Sequence, residues 1–549
     1  MQNTLNRREK WSKICSCAVA MLAVVVLCYL AALSLFETVQ IEGGEQAVFQ
    51  RDTPWAHLFF LFFGLLLLCL WGRKLACCSG KGLLTALLIF TCTVGSWLVF
   101  TWNVQPVADQ GTVLSAAQAF AVGDFTMLDK GGYLFVYPHQ LGLVAYFQLV
   151  NLFAGPNTYL AVQALNTLAL CACYFLLYRI ARLLFPNKEV GLLTILVMFG
   201  CLQPLLYVSF VYGNLMGLAA GLEAVYLELS YFEQRKWSFA LGSALFIAIS
   251  VALRNHYMIF LVAMAVFYLF DAVFERQKRS YWMVLIIVAA NALLGGLIST
   301  GYHLASGREI QKGMPKALWV AMGMQEGPRT SGWYNDYTWE LYESVDYDAA
   351  RARKIALQDV KKRVEEFTRE PGQALSFYYR KTASMWNNPD YQAFWINLER
   401  PSRIEGSAFG KSLFGGGLRD ALFGWMNLSQ SAIFLGALFY FAMEWKNVRY
   451  QQLFLAVIFL GCVFFHLAWE AKGQYALPYF LLLIPYAAAG WCRAWKSCEG
   501  ILKRRKMRLK SQKKEKNSAV MLPFLKKIEA SLKEGGTRYR AWAGAASKK

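Results

Sequence analysis

Asp109 stands in "TWNVQPVADQGTVLSAAQAF", directly after an apolar run at 83–102, and heads a stretch whose apolar residues recur at helical spacing. A lone carboxylate at a membrane edge can act as a general base toward a hydroxyl. Cations facing it can hold an anionic leaving group and stabilise the charge it develops. The chain offers such cations. Lys130 and His139 follow in the same loop, Arg254 stands in "ALRNHY", and Lys472 in "WEAKGQYALPY". Around them fall polar and aromatic side chains suited to a pocket: Tyr137, Gln140, Asn214, Asn255, His256, Glu470 and Tyr475. Arg254 and His256 lie between apolar runs with almost no loop, and charge is costly there unless paired or used. The competing account is a pair of snorkelling anchors at a helix end. Asp124 and Asp129 fall in "VGDF" and "LDKGG", whose turn chemistry makes them shapers of turns rather than reacting groups.

The elements that must position these residues are apolar runs. The chain has 549 residues, is 57% hydrophobic and carries a formal charge of +21. Runs near the length of a membrane span, roughly 20 residues, recur at 14–36, 56–72, 83–102, 158–185, 189–206, 210–230, 238–253, 256–274, 282–303, 421–443, 451–469 and 475–495. The sequence thus predicts an all-α polytopic membrane protein with about 12 transmembrane helices, since helices satisfy their own backbone hydrogen bonds in lipid. The first run is too long for a signal h-region and lacks a small-residue cleavage site after it.

Charge sets the expected orientation, because short basic loops mark the cytoplasmic side. Such loops are "NRREKWSK", "GRKLACCSGK", "RIARLLFPNK", "EQRKW", "ERQKRS" and "EWKNVR", followed by the basic tail. All of them share one side only if the borderline run 139–154 lies on the opposite surface instead of crossing. Residues 103–155 then form one long outer loop with interfacial helices. Within it Val113, Leu114, Ala117, Phe120 and Ala121 share a helical face. The resulting division is a cytoplasmic start with two spans at 1–82, a transmembrane module at 83–303, an outer helical segment at 304–420, closing spans at 421–495, and a cytoplasmic tail at 496–549.

The 13 cysteines give neither a disulfide framework nor a zinc-site spacing; most sit in apolar runs as small hydrophobes. The tail block "LKRRKMRLKSQKKEK" reads as a solvated, unstructured segment near anionic lipids, and it lacks a nucleic-acid motif. In the outer segment, "DYDAARARKIALQDVKKRVEEFTRE" reads as a charged helix stopped by Pro371. Trp319, Trp333, Trp339, Trp386 and Trp395 serve there either as interfacial anchors or as platforms for sugar rings.

In their order and shared face these features resemble the GT-C-fold glycosyltransferases that use polyprenyl-phosphate sugars. Within that family the chain looks like the branch of protein O-mannosyltransferases and the lipid A aminoarabinose transferase, with similar Gram-positive proteins. "TWNVQPVADQGTVLSAAQAF" is similar to the family's first outer loop, which implies Asp109 as the catalytic carboxylate. "YPHQLGLVAYFQLVNLFAGPN", "ALRNHY", "RKTASMWNNPDYQAFW" and "WEAKGQYALPYF" resemble later family segments. The resemblance implies Arg254 as the first phosphate ligand, with Lys130, His139 and Lys472 as further ones. It departs from the family at Asn214, where a second acid is common, at "KGQY" in place of "KSRY", and in its two additional N-terminal spans.

The implied activity is inverting transfer from an undecaprenyl-phosphate sugar to a cell-envelope glycan, lipid or protein in a bacterial membrane, with both termini cytoplasmic. No cofactor is implied with certainty, and a divalent metal stays open. A lipid-linked glycan polymerase or ligase, and at greater distance a secondary transporter, are the rival readings.

Overall fold

The computed structural model describes residues 2–546 apart from 399, 401 and 405; the outermost residues of the 1–82 and 496–549 segments and three positions of 304–420 lie outside them. The chain is 81% helical. It opens with α1 (Gln2–Phe36), a hairpin of β1 (Glu37–Glu42) and β2 (Gln46–Arg51), then α2 (Pro54–Cys77) and α3 (Gly80–Trp102). Short helices follow: α4 (Ala108–Ala121), α5 (Tyr133–Val136) and α6 (Leu141–Ala154). The central bundle is α7 (Thr158–Leu184), α8 (Lys188–Gly200), α9 (Gln203–Leu206), α10 (Asn214–Gln234), α11 (Trp237–Leu253), α12 (Met258–Phe274) and α13 (Lys278–Ser306). Six helices form the next segment: α14 (Lys316–Gly323), α15 (Tyr337–Ser344), α16 (Ala349–Arg369), α17 (Pro371–Trp386), α18 (Ala393–Leu398) and α19 (Ala408–Gly415). The chain closes with α20 (Gly417–Glu444), α21 (Phe454–Ala468), α22 (Gly473–Leu481) and α23 (Ile484–Ala546).

Among the described residues, nine helical stretches are long and apolar enough to cross a membrane, and eleven if each of two bent pairs counts as one. Trp237–Leu253 is a shorter apolar helix. The count falls short of the expected twelve: the predicted runs 189–206 and 475–495 are the two bent pairs, and 238–253 is the shorter helix. The chain is therefore a multi-pass, all-helical protein with one addition, the polar hairpin.

Whether α6 crosses is answered by what its two ends touch. At its start, Gly142 packs so closely on the end of α11 that a Cβ would lie 2.1 Å from the Ala252 carbonyl oxygen. Along it, Gln148 accepts a hydrogen bond from Tyr302 near the end of α13 at 2.5 Å. At its end, Asn151 accepts from Thr158 at the start of α7 at 2.9 Å, and the neighbouring Tyr159 donates to Asn103 just past α3 at 2.7 Å. All these contacts belong to one end of the bundle, so α6 lies across that end. The α4 face is buried through Val113, Leu114, Ala117 and Phe120, whereas Ala121 is exposed.

The basic loops gather at the other end. Arg8, Lys13, Arg235, Arg276, Lys446 and Arg449 line one cavity of about 810 Å³. Lys188 donates to the Ala76 carbonyl at 2.9 Å, and Arg449 to that of Leu184 at 3.4 Å. The charge alternation read from the sequence is thus a spatial segregation.

Residues 1–82 pack into the body of the protein: Met1–Cys492 form one compact unit, with His57 of α2 2.7 Å from Ser431 of α20. One expectation needs correction, the unstructured tail. Arg493–Lys549 cluster as a second unit, and the tail block is helical within α23. Leu, Lys, Arg, Glu, Gln and Met dominate it, and all are strong helix formers. The charged helix of the outer segment is borne out as α16. Asp348 caps it by accepting from the Ala350 and Arg351 amides at 2.9 and 3.0 Å, and Pro371 opens α17.

Candidate functional site

Asp109 lies in the first turn of α4, with its side chain exposed. The residue before it, Ala108, has φ 50°, in the left-handed region that alanine seldom adopts. Gln110 anchors the turn by accepting from the Val211 amide at 3.1 Å. This contact brings the 207–213 segment alongside, and Tyr212 donates its phenol proton to Asp109 Oδ2 at 3.1 Å. Gln140 donates to the same phenol oxygen at 2.7 Å, and the Tyr133 hydroxyl is 3.5 Å away. Burial and the nearby Asp109 hold the Tyr212 phenol well above its ordinary range, so it remains a donor.

Arg254 caps α11 in extended backbone. Its guanidinium donates to the Tyr212 carbonyl at 2.8 Å, stacks over the Tyr212 ring at 4.3 Å, and faces Tyr475 at 5.7 Å. Among the described residues no carboxylate lies within ion-pair distance of Arg254. A stacked, unpaired guanidinium is suited to bidentate binding of a phosphate. His139 is exposed beside Tyr137 and Trp319, at ring distances of 6.1 and 6.4 Å, and Arg254 and Lys316 are the cations whose fields reach it.

No protein family, curated protein or solved structure matches this chain. Its chemistry is read from this cluster of side chains.

Lys472 belongs to the cluster in a different state from the expected one. Its ammonium lies 3.0 Å from Glu45 and 3.9 Å from Glu470. Burial works against its charge, but Glu45 and Glu470 outweigh it and raise the amine above its ordinary range. Glu470 is pushed upward by burial, with Lys472 opposing, and accepts from the Tyr475 hydroxyl at 3.3 Å. Lys472 is therefore a neutralised member of a buried network, not a free phosphate ligand. Lys130 is further removed. It pairs with Asp346 at 2.6 Å on the open surface, where such a pair is worth about 0–1 kcal/mol. Asp129 pairs with Arg308 at 2.6 Å, and Asp124 caps the Thr126 amide at 3.0 Å, as turn residues would.

Of the remaining expected pocket residues, Tyr137 packs at tilted and edge-on angles among Tyr133, Trp319 and Trp339 at 5.0, 6.1 and 6.4 Å. Asn214 is buried and donates to the Gln474 carbonyl at 3.4 Å, joining α10 to α22. Asn255 is exposed in the turn after Arg254. His256 points at His466, with Nε2 to Nε2 at 2.9 Å. Among the tryptophans, Trp333 and Trp386 are core residues at 0% and 1% exposure and cannot serve as sugar platforms. Trp319 stacks on Trp469 at 5.7 Å.

The hairpin is the part sequence reading missed. Its turn holds Gly44 at φ 70° and Glu45 at φ 63°. A glutamate in that region costs about 1 kcal/mol and persists where its surroundings over-determine it. Here they do: Glu45 is 3% exposed, accepts from Gln392 at 3.1 Å, and pairs with Arg329 at 3.1 Å besides Lys472. The segment "WNNPD" holds the hairpin in place. The Asn387 carbonyl accepts from the Val39 amide at 3.0 Å, and Asn388 donates to the Val39 carbonyl at 2.9 Å.

Lys381, the lysine of that same stretch, is 2% exposed and donates to the carbonyls of Gly323 and, at 3.1 Å, Leu467. Burial, only partly offset by Glu470, pulls its amine down to about 7 from the ordinary 10.5. Between those values the unfolded chain binds more protons, so this residue adds stability as pH rises from about 7 to 10.5. Thermal unfolding of the detergent-solubilised protein should show that rise, and Lys381→Met should lose it. Parallel curves for the two proteins across the window would contradict the assignment.

Proposed function

We propose that this chain is a membrane glycosyltransferase of the GT-C type. It transfers a sugar from a polyprenyl-phosphate donor, undecaprenyl-phosphate in a bacterial cell membrane, to a cell-envelope glycan, lipid or protein. The reading places these side chains on the outer face and both termini in the cytoplasm, with the tail helix near anionic inner-leaflet lipids. One observation carries it. An exposed carboxylate, Asp109, and a guanidinium with no ion-pair partner among the described residues, Arg254, meet through Tyr212 in one side-chain cluster, opposite the gathered basic loops.

The chemistry follows from that pairing. The acceptor hydroxyl gives its proton to the Asp109 carboxylate as its oxygen attacks the anomeric carbon. The bond from that carbon to the phosphate oxygen breaks, and its electron pair leaves with the phosphate. Arg254, with His139 beside it, stabilises the charge. The phosphate needs no protonation to leave, so one carboxylate suffices and the anomeric configuration inverts. Tyr212 orients the base by donating to it. Lys472 acts through Glu470 and Tyr475 as a positioning residue.

The direct test supplies the purified protein with radiolabelled undecaprenyl-phosphate and undecaprenyl-diphosphate sugars plus a cell-envelope fraction as acceptor. Label should move from the monophosphate donor. Transfer from the diphosphate donor alone would favour a polymerase or ligase, and transfer from neither would overturn the reading.

A further inference from the structure

Behind Arg254 lies a cluster that the transfer reaction does not use. Cys462 and His466 are one helical turn apart on α21, and His256 approaches from the turn after α11. The imidazole nitrogens and the Cys462 thiol all lie within 4.8 Å of one another. Cys462 is 0% exposed and His466 3%. We propose that these three residues form a binding site for one zinc-class transition-metal ion.

The protonation pattern supports the assignment. His466 Nδ1 faces the Glu470 main-chain carbonyl. A carbonyl can only accept, so Nδ1 carries the proton and Nε2 keeps its lone pair, aimed at His256 Nε2 2.9 Å away. A ligating histidine is oriented in the same way, its second nitrogen donating to a carbonyl. Tyr475 fixes the ring plane by stacking on His466 at 5.5 Å and 18°.

The donor set selects the ion. Two imidazoles and a thiolate suit zinc or copper(I), whereas magnesium and calcium require oxygen ligands. Zinc bonds of about 2.0–2.3 Å place tetrahedral ligands roughly 3.3–3.8 Å apart. The imidazoles therefore need to separate slightly and the thiol to close in. On binding, the metal replaces the proton shared between the imidazoles, His256 moves its proton to Nδ1, and Cys462 releases one proton to solvent. Affinity must therefore fall with falling pH. The ion would brace the α11–α12 turn against α21 and fix Tyr475, one wall of the Arg254 site. The inference is independent of the transfer reaction, and its test reads metal alone.

The experiment strips full-length protein in detergent with a chelator, then titrates Zn²⁺ and, separately, Co²⁺. One equivalent of Zn²⁺ should bind to the wild type, and Co²⁺ should give a thiolate charge-transfer band. Cys462→Ser should remove that band. Cys462→Ser and His466→Gln should each weaken Zn²⁺ binding by roughly two orders of magnitude. Should a variant fail to fold, zinc K-edge X-ray absorption of the wild type, showing one sulfur ligand beside nitrogen, gives the same answer. Equal binding in wild type and variants, a Co²⁺ spectrum without the thiolate band, or an absorption spectrum without a sulfur ligand would reduce the cluster to an interhelical hydrogen bond.

Discussion

Asp109→Asn is expected to lower sugar transfer by about 10²–10⁴-fold, the range that a positioned general base supplies. The amide keeps the size of the carboxylate and can still accept the Tyr212 proton, so the local structure should hold. Asp109 is exposed and makes no ion pair among the described residues, so its charge does not support the fold. The loss should thus fall on kcat, with donor binding and thermal stability near wild type. Asp124→Asn provides the contrast, since Asp124 caps Thr126 and its substitution should leave transfer largely intact. A variant at position 109 that turns over normally would remove the carboxylate from the reaction. Equal losses at 109 and 124 would point instead to a loop damaged by either change.

The spans were legible because hydropathy reports burial in lipid one residue at a time, with no need for a partner. The placement of α6 across one end was legible for a subtler reason: one more crossing would have parted Arg8 and Lys13 from Arg235, Arg276 and Lys446, which the structure gathers at one cavity. Asp109, Gln140, Arg254 and Tyr475 came together as expected because each sits at a helix end on the same face. What failed was anything that depends on tertiary pairing. Lys130 is near Asp109 in sequence, but the chain turns away and spends the charge on Asp346. Lys472 is neutralised by a glutamate 427 residues earlier, inside a hairpin that reads locally as an acidic loop. Its signals were short polar strands around "GG", too weak against the surrounding apolar runs. The approach of Cys462 and His466 to His256 was equally out of reach, because His256 comes from another helix turn and no spacing rule crosses that gap.

Arg254→Ala should raise the donor KM about 10–150-fold, corresponding to the ~1.5–3 kcal/mol of a hydrogen bond to a charged group, with a smaller change in acceptor KM. The argument rests on what the guanidinium does in the free protein. It donates once, to the Tyr212 carbonyl, and lies over the Tyr212 ring at 4.3 Å, leaving further N–H groups for a ligand. Losing the stack alone would cost about 0.5–2 kcal/mol of local order, which would disturb Asp109 through Tyr212 and affect both substrates alike. Arg254→Lys separates the two effects. A lysine retains a point charge for the phosphate but lacks the planar fork, so it should recover part of the donor KM while kcat stays low if Tyr212 has shifted. Lys130→Ala serves as the control cation, because its surface pair with Asp346 is exposed at both ends and its removal should leave donor KM unchanged. Equal rises in donor and acceptor KM for Arg254→Ala, unrelieved by lysine, would make Arg254 a brace for Tyr212 and leave the phosphate site to be sought around His139 and Lys316.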